Sequence, residues 1–379
     1  MRIVCFGTYD LDKPRNRLMI AALRGLGHDV TEIHAPVWDG VPDKSQVRGP
    51  LAKLRLGLRW LAAYSGLIRR WRRHVRIHGA PDLAVVGYLG HLDVLVLRRL
   101  ARDTPIVWDA FLSIYDTVVR DRAMVGPRHP AARLLFAWER AACRAATCVV
   151  LDTPSHGAMF ADLYGLDPDR LASVPVGAEL DAFPRQPPRP APPPTRRPRV
   201  LFYGQFIPLH GIDTIIAAAR TAPDLDWQII GTGQAAAAIR AGLDADPIDH
   251  LTWTDWVDYP RLIDHIAEAD VCLGIFGQSE KAARVIPNKV YQIIASGRPL
   301  VTRDGPAARD FFGPDPVPGV RLVPPGDAAA LATAARDLAA AGETPPASLT
   351  DRFDAAALRQ ALDRVVTETH AAAMPRPRR

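Results

Sequence analysis

The stretches YGQFIPLHGIDTIIAAA (Tyr203 to Ala219) and GIFGQSEKAARVIPNKVYQIIASGRPLV (Gly274 to Val301) decide the fold of this chain. Each runs from an apolar, strand-like segment through a turn into a helix. That geometry directs helix N-termini, with their unpaired N–H groups, at a common cleft suited to an anion. Upstream, RIVCFG, NRLMIAALRGLG, DVTEIHAP, DLAVVGY, HLDVLVLRRLAR, PIVWDAF, ARLLFAWERAACRAA and TCVVLD alternate strand and helix in the same way. The second half repeats the pattern through RVLFYG, DWQIIGTG, QAAAAIRAGL, HLTWTDW, RLIDHIAEA, DVCLGIF and PLVTRD. Such alternation predicts an α/β protein of βαβ units, with parallel sheets covered by helices on both faces.

At 379 residues the chain is longer than one hydrophobic core usually supports, so two domains are expected. The first is expected over 1–183. A connector follows over 184–198, PRQPPRPAPPPTRRP, where proline removes backbone donors and fixes φ. The second domain is expected over 199–353 and a closing helix over 354–373, with the tail PRPRR mobile.

Hydrophobic residues at 48% and charged residues at 23% are those of a folded, soluble protein. Cys5, Cys143, Cys148 and Cys272 show no C-x-x-C spacing and lie in apolar contexts, which predicts buried free thiols in a reducing setting. There is no charged-then-apolar leader and no apolar run near the roughly 20 residues of a membrane span, so a cytoplasmic protein is expected. The charge of +6 is unevenly spread: LAKLRLGLRWLAAYSGLIRRWRRHVRIHG (51–79) holds eight Lys or Arg and no acid. Its apolar residues fall at roughly helical spacing. Such a basic amphipathic helix either packs its stripe on the core or lies on an anionic membrane surface. Without a zinc-finger or RNA-recognition signature, nucleic acid is not an expected partner.

The two opening stretches, with VVLDTPSH, SVPVGAELDAF and the GTG turn, resemble the retaining glycosyltransferases of GT-B fold (glycosyl transferases group 1, family 4-like). The run IPNKVYQIIASGRPLV is the most specific part of that likeness. The resemblance implies two doubly wound Rossmann-like domains facing a central cleft, with a last helix crossing back to the first domain. It also implies a nucleotide-diphosphate sugar as donor, a hydroxyl acceptor that is lipid-linked, polysaccharide or a small molecule, and catalysis without a metal or other cofactor. Relatives place Gly-Arg and then Lys-Gly in the first stretch to neutralise the departing diphosphate; the matching positions here follow Gly204 and are Gln205 and His210. They place Glu-x7-Glu in the second; counting back from Gly297, those positions are Arg284 and Gln292.

Both departures alter charge, so the cations are expected to have moved: Arg284, Lys281 and Lys289, beside Asn288, flank the second helix and stand in for the missing pair. A protonated His210 and helix N–H groups would assist. Gln292 retains hydrogen bonding to a ribose without charge. Gly231, Gly233, Trp256 and Val257 are candidates for the nucleoside. In the first domain His91 and Asp109, just past strand ends, are candidates for sugar or acceptor, with Asp116, Arg15 and Asn16 behind them.

Asp10-Leu11-Asp12 matches a metal-holding Asp-x-Asp triplet, but similar triplets start at Asp167, Asp224 and Asp244, so the match carries little weight. Two rival readings stay open. IIGTGQAAAAI fits G-x-G-x-x-A with Asp255 about 20 residues on, as in an NAD-dependent oxidoreductase. The four departures at Gln205, His210, Arg284 and Gln292 also suit a non-catalytic nucleotide-sugar-binding subunit.

Overall fold

The computed structural model describes residues 1–11, 13–38 and 50–374, and for 50–56 the backbone alone. Asp12, the side chains of Lys53 and Arg55, and the tail PRPRR therefore lie outside the described residues. The chain divides into two compact units. One comprises Met1–Tyr115, Val125–Pro175 and the closing helix; the other comprises Asp116–Met124 and Val176–Asp354.

The first unit carries a parallel sheet of β1 (Arg2–Gly7), β2 (Asp29–His34), β3 (Leu83–Val86), β4 (Ile106–Phe111), β5 (Cys148–Leu151) and β6 (Leu171–Ser173), in the order β2-β1-β3-β4-β5-β6. Its strands read as apolar runs because both faces are covered. Val4 and Phe6 enter one core with Leu67, Trp71, Val94 and Phe160, whereas Ile3 and Cys5 enter the other with Met19 and Leu23. The closing helix Ala355–Ala373 completes that second core through Leu358, Leu362, Val365 and Val366.

The second unit repeats the design with β7 (Arg199–Tyr203), β8 (Asp226–Ile230), β9 (Leu251–Thr254), β10 (Val271–Leu273), β11 (Leu300–Arg303) and β12 (Val320–Val323). Their order is β12-β11-β10-β7-β8-β9. Val200, Phe202, Val271, Leu273 and Val301 pack against Ile212, Ile215 and Ala219 on one side helix and Leu331, Ala335 and Leu338 on another.

The proline-rich stretch is not a free connector. Packing changes from one unit to the other between Pro175 and Val176, before the prolines. Gln186 N–H bonds the Ser296 carbonyl at 3.0 Å, and Arg196 forks onto Asp270 at 2.7 and 2.9 Å. Proline fixes the path, and the interleaved arginines find partners along it.

The helix Pro50–His78 turns Leu67 and Trp71 into the core, while Leu58 and Leu61 stay 57% and 71% exposed. At 100° per residue Leu58, Leu61, Arg69, Arg72, Arg73 and Arg76 share its outer face. Among the described residues no helix is long and apolar enough to cross a membrane.

All four cysteines are buried and free. Burial pushes the Cys5 and Cys272 thiols up to about 12 and Cys148 to about 11. Thiolate is the reactive form. An aromatic disulfide reagent at neutral pH should therefore label none of the cysteines in the native protein and all of them in denaturant.

Candidate active site

In the second unit strand order reverses between β7 and β10, and open α/β sheets bind ligands beyond the carboxyl ends of strands at such a switch point. The loops leaving these two strands are bonded backbone to backbone. Phe276 N–H donates to the His210 carbonyl at 3.0 Å, and Gly277 N–H to that of Leu209 at 3.2 Å. Gly211 has φ +64°, and a Cβ there would stand 2.4 Å from the carbonyl carbon of Phe276. Only glycine fits so close an approach in that conformation.

Lys289 occupies the first turn of the helix Asn288–Ala295 and is only 5% exposed. Its Nζ lies 3.8 Å from the centre of the Phe202 ring and has no hydrogen-bond partner among the described residues. Gly204 makes room for it: a Cβ there would come within 2.7 Å of Lys289 Nζ and 3.2 Å of His210 Cε1. His210 Nδ1 donates to the Gln205 carbonyl, which leaves Nε2 as the atom available to a ligand. Burial pushes Lys289 well below the ordinary lysine range. His210 is likewise held well below its usual value, first by burial, then by Lys289, with Arg122 adding to the effect against the Gln205 carbonyl. No carboxylate offsets the burial of either group. What this pocket lacks is negative charge.

The other residues expected here have definite places. Gln205 and Asn288 are exposed. Gln292 accepts from Tyr203 at 3.1 Å and donates to Tyr259 at 3.2 Å. Lys281 Nζ donates to Thr117 Oγ1 at 2.5 Å. Arg284 pairs with Glu280 one turn earlier on the short helix Glu280–Arg284, so the guanidinium expected to be a displaced cation already has a carboxylate. The cation beside His210 is Lys289. Beyond β9, Trp256 is 75% exposed and Val257 half-buried.

In the first unit two expectations are corrected. His91 is not on a rim: it is fully buried, with Nε2 2.8 Å from Glu139 and its ring against Trp108 and Trp138. Glu139 also takes Ser113 Oγ at 2.7 Å and the N–H groups of Ile114 and Tyr115 at 2.8 and 3.0 Å. Burial raises that carboxyl, but His91, Tyr164 and Ser113 more than offset it and hold it below the usual range. Asp109 is also enclosed, at 1% exposure, and committed to Arg15, whose Nε and Nη2 reach its oxygens at 2.7 Å. Both side chains are enclosed, and His91 Nδ1 has no hydrogen-bond partner among the described residues. Asn16 bonds the Asp10 carbonyl at 2.7 Å and receives Tyr88 N–H at 3.1 Å. Asp116 is buried in a single π-helical turn, Asp116–Asp121, of the second unit. Among the described residues no three His, Cys, Asp or Glu side chains gather in a way that could hold a metal ion.

The sequence matches the family described as Glycosyl transferases group 1 over residues 197–341 and Glycosyltransferase Family 4 over 16–182, which together take in most of both units. The chain is a glycosyltransferase.

Its α/β fold is the GT-B fold. A sucrose-phosphate synthase from Thermosynechococcus elongatus is similar with a TM-score of 0.69 and 18% identity, covering 98% of this chain and 100% of that one. HepE from Anabaena, solved with UDP-glucose, has a TM-score of 0.62 and 13% identity over 97% and 99%. The pneumococcal O-GlcNAc transferase GtfA, with UDP and GlcNAc, has a TM-score of 0.53 and 13% identity over 80% and 60%. No curated protein is detectably similar in sequence.

The transferase's GTG turn packs against the backbone of the loop after β7: a Cβ at Gly231 would stand 1.9 Å from the Gly204 carbonyl oxygen, and one at Gly233 would stand 2.7 Å from Phe206 N. Asp255, the acid of the G-x-G-x-x-A fingerprint, pairs with Arg240 at 2.6 Å on the surface. No sequence motif marks Glu139, the partner of His91, or Arg122, whose charge acts on His210.

Gly211→Ala should cost the transferase about 2 kcal/mol or more, since it adds both a forbidden conformation and a backbone clash. Asp109→Ala should cost about 3–5 kcal/mol by leaving Arg15 buried and unpaired. Urea unfolding curves measure both.

Proposed function

We propose that the second unit binds a nucleotide-diphosphate sugar with its diphosphate at Gly204, His210 and Lys289, and that the sugar passes with retention to a hydroxyl acceptor. The observation that carries this reading is Lys289: a buried amine without a partner, beside a histidine and a glycine gap, at the switch point of a parallel sheet. The C–O bond from sugar to diphosphate breaks, the acceptor oxygen bonds the same face of the anomeric carbon, and a diphosphate oxygen takes the acceptor's proton. Lys289 and a protonated His210 stabilise charge as it develops on the leaving group, so neither a protein nucleophile nor a metal is needed. The UDP-bound similar structures make UDP the first nucleotide to test. Trp256 and Val257 remain the nucleoside candidates and Gln292 the ribose candidate. Lys281 and Arg284 are assigned to the rim of the anion site.

A second proposal concerns the helix Pro50–His78. Its outer face aligns exposed Leu58 and Leu61 with a row of arginines, which suits a surface of anionic lipid and hence a lipid-linked acceptor at the inner membrane face.

Thermal shift against UDP, GDP, ADP, TDP, their sugar conjugates and NAD tests the donor. A ligand at ~100 times its Kd adds about 2.7 kcal/mol and raises Tm by several degrees. Silence from every nucleotide diphosphate would overturn the reading. Lys289→Met, which keeps the volume, should lower kcat/KM by about 100-fold or more while the protein stays folded.

The pH response has a definite sign. Free Lys289 and His210 are both depressed, and the groups facing them are Tyr203, Arg122 and each other, none a carboxylate. A bound diphosphate restores their charge, so binding takes up protons and the affinity for UDP tightens as pH falls from about 9 to 7, where the phosphate stays ionised. Calorimetry in buffers of differing ionisation enthalpy should read that uptake, and Lys289→Met should reduce it. Replacing Arg69, Arg70, Arg72 and Arg73 with Ser should abolish flotation with phosphatidylserine vesicles; unchanged flotation would remove the membrane role.

A further inference from the structure

Between β4 and the helix Pro130–Ala145 the chain leaves the first unit at Tyr115 and rejoins it at Val125, and the intervening segment packs with the second unit. Two anchors fix it there. Lys281 Nζ donates to Thr117 Oγ1 at 2.5 Å, and Ser279 Oγ donates to Asp121 Oδ1 at 3.0 Å. The π-helical turn is closed by Arg122 N–H on the Thr117 carbonyl and Met124 N–H on that of Val118, both at 2.9 Å. Ala123 sits at φ +48°, a costly conformation for a residue with a Cβ. This short segment is thus held in a defined shape against the loop that follows β10.

The shape positions Arg122. Its side chain is half-buried, and its Nε is buried without a hydrogen-bond partner among the described residues. It stands close enough to His210 for its charge to act on that ring. Lys289 Nζ, also buried and without a hydrogen-bond partner, adjoins the Gly204 gap together with His210 Cε1. Leaving such donors unsatisfied costs free energy unless a ligand fills the space. An anion with several acceptor oxygens is the ligand suited to such unpaired nitrogen donors, and a guanidinium is the donor best matched to phosphate oxygens.

We propose that Arg122 is the third cationic ligand of the donor's diphosphate, supplied by the Asp116–Met124 segment in place of the arginine that Gln205 lacks. The assignment rests on the diphosphate reading of the Lys289 pocket. It adds a residue from a part of the chain that the motifs of the second unit do not include.

The test compares a nucleoside diphosphate with its monophosphate, because Arg122 should be read by the extra phosphate and not by the nucleoside. Calorimetric Kd values for UDP and UMP are taken on the full chain, or for whichever of GDP, ADP and TDP gives the largest thermal shift. Wild type should prefer the diphosphate. Arg122→Ala should weaken diphosphate binding about 10- to 100-fold and leave monophosphate binding unchanged, with Arg122→Lys restoring part of the loss. Equal diphosphate affinity in wild type and Arg122→Ala would overturn the assignment. So would an equal loss for both nucleotides, which marks a merely structural role. If wild type binds no nucleotide, the diphosphate reading fails first and the assignment fails with it.

Discussion

The seam between the loops that follow β7 and β10 is the constraint on which the site depends. Two parallel strands separated in sequence lie side by side at the switch point, and their loops hydrogen-bond through main chain at His210–Phe276 and Leu209–Gly277. Gly211 and Gly277 permit that approach, since a Cβ at either would come within 2.4 Å of the other loop's backbone. The main-chain bonding also fixes His210 from one side while the helix carrying Lys289 starts from the other. A pocket with unpaired donors is tolerable only on such a rigid frame, since a looser one would let the lysine swing out to water.

Against that frame the first unit plays a different part. Its interior carboxylates are held by neighbours: Glu139 gathers His91, Ser113 and Tyr164, and Asp109 grips Arg15. These networks shape the loops beyond β4 and β5 without offering reactive groups. Phe111, at φ +60° beside a register shift between those strands, marks where the chain bends away toward Tyr115.

Much of the fold was legible because alternation of apolar strand and amphipathic helix is a local property. The parallel sheets and the carboxyl-end location of the motif loops follow from it. Lys289 was legible for the same reason, since IPNKVYQ sets it in a first helical turn. What local reading misplaced were the residues whose fate depends on distant partners. His91 opens the helix after β3, but Asp109 lies within β4, not past its end, and Glu139 and Arg15, 48 and 94 residues away, hold both side chains inside. Arg284 is a different case, because its partner Glu280 is only four residues back on the same short helix. The proline stretch read as a spacer because composition shows stiffness but not the carboxylate waiting at Asp270.

The division of the chain also bears on how such a protein can be recombined. The first unit is made from both ends of the sequence, with the core of β1 and β3 completed by Leu358 and Leu362, so the second unit is nested within it. A crossover at the proline stretch would therefore hand the closing helix to a foreign first unit along with the second unit. It would also separate Lys281 and Ser279 from Thr117 and Asp121, which lie on the other side of the join in sequence. Chimaeras within the family should inherit a matched site only when the Asp116–Met124 segment travels with the half it touches, a linkage that gene order alone would not reveal.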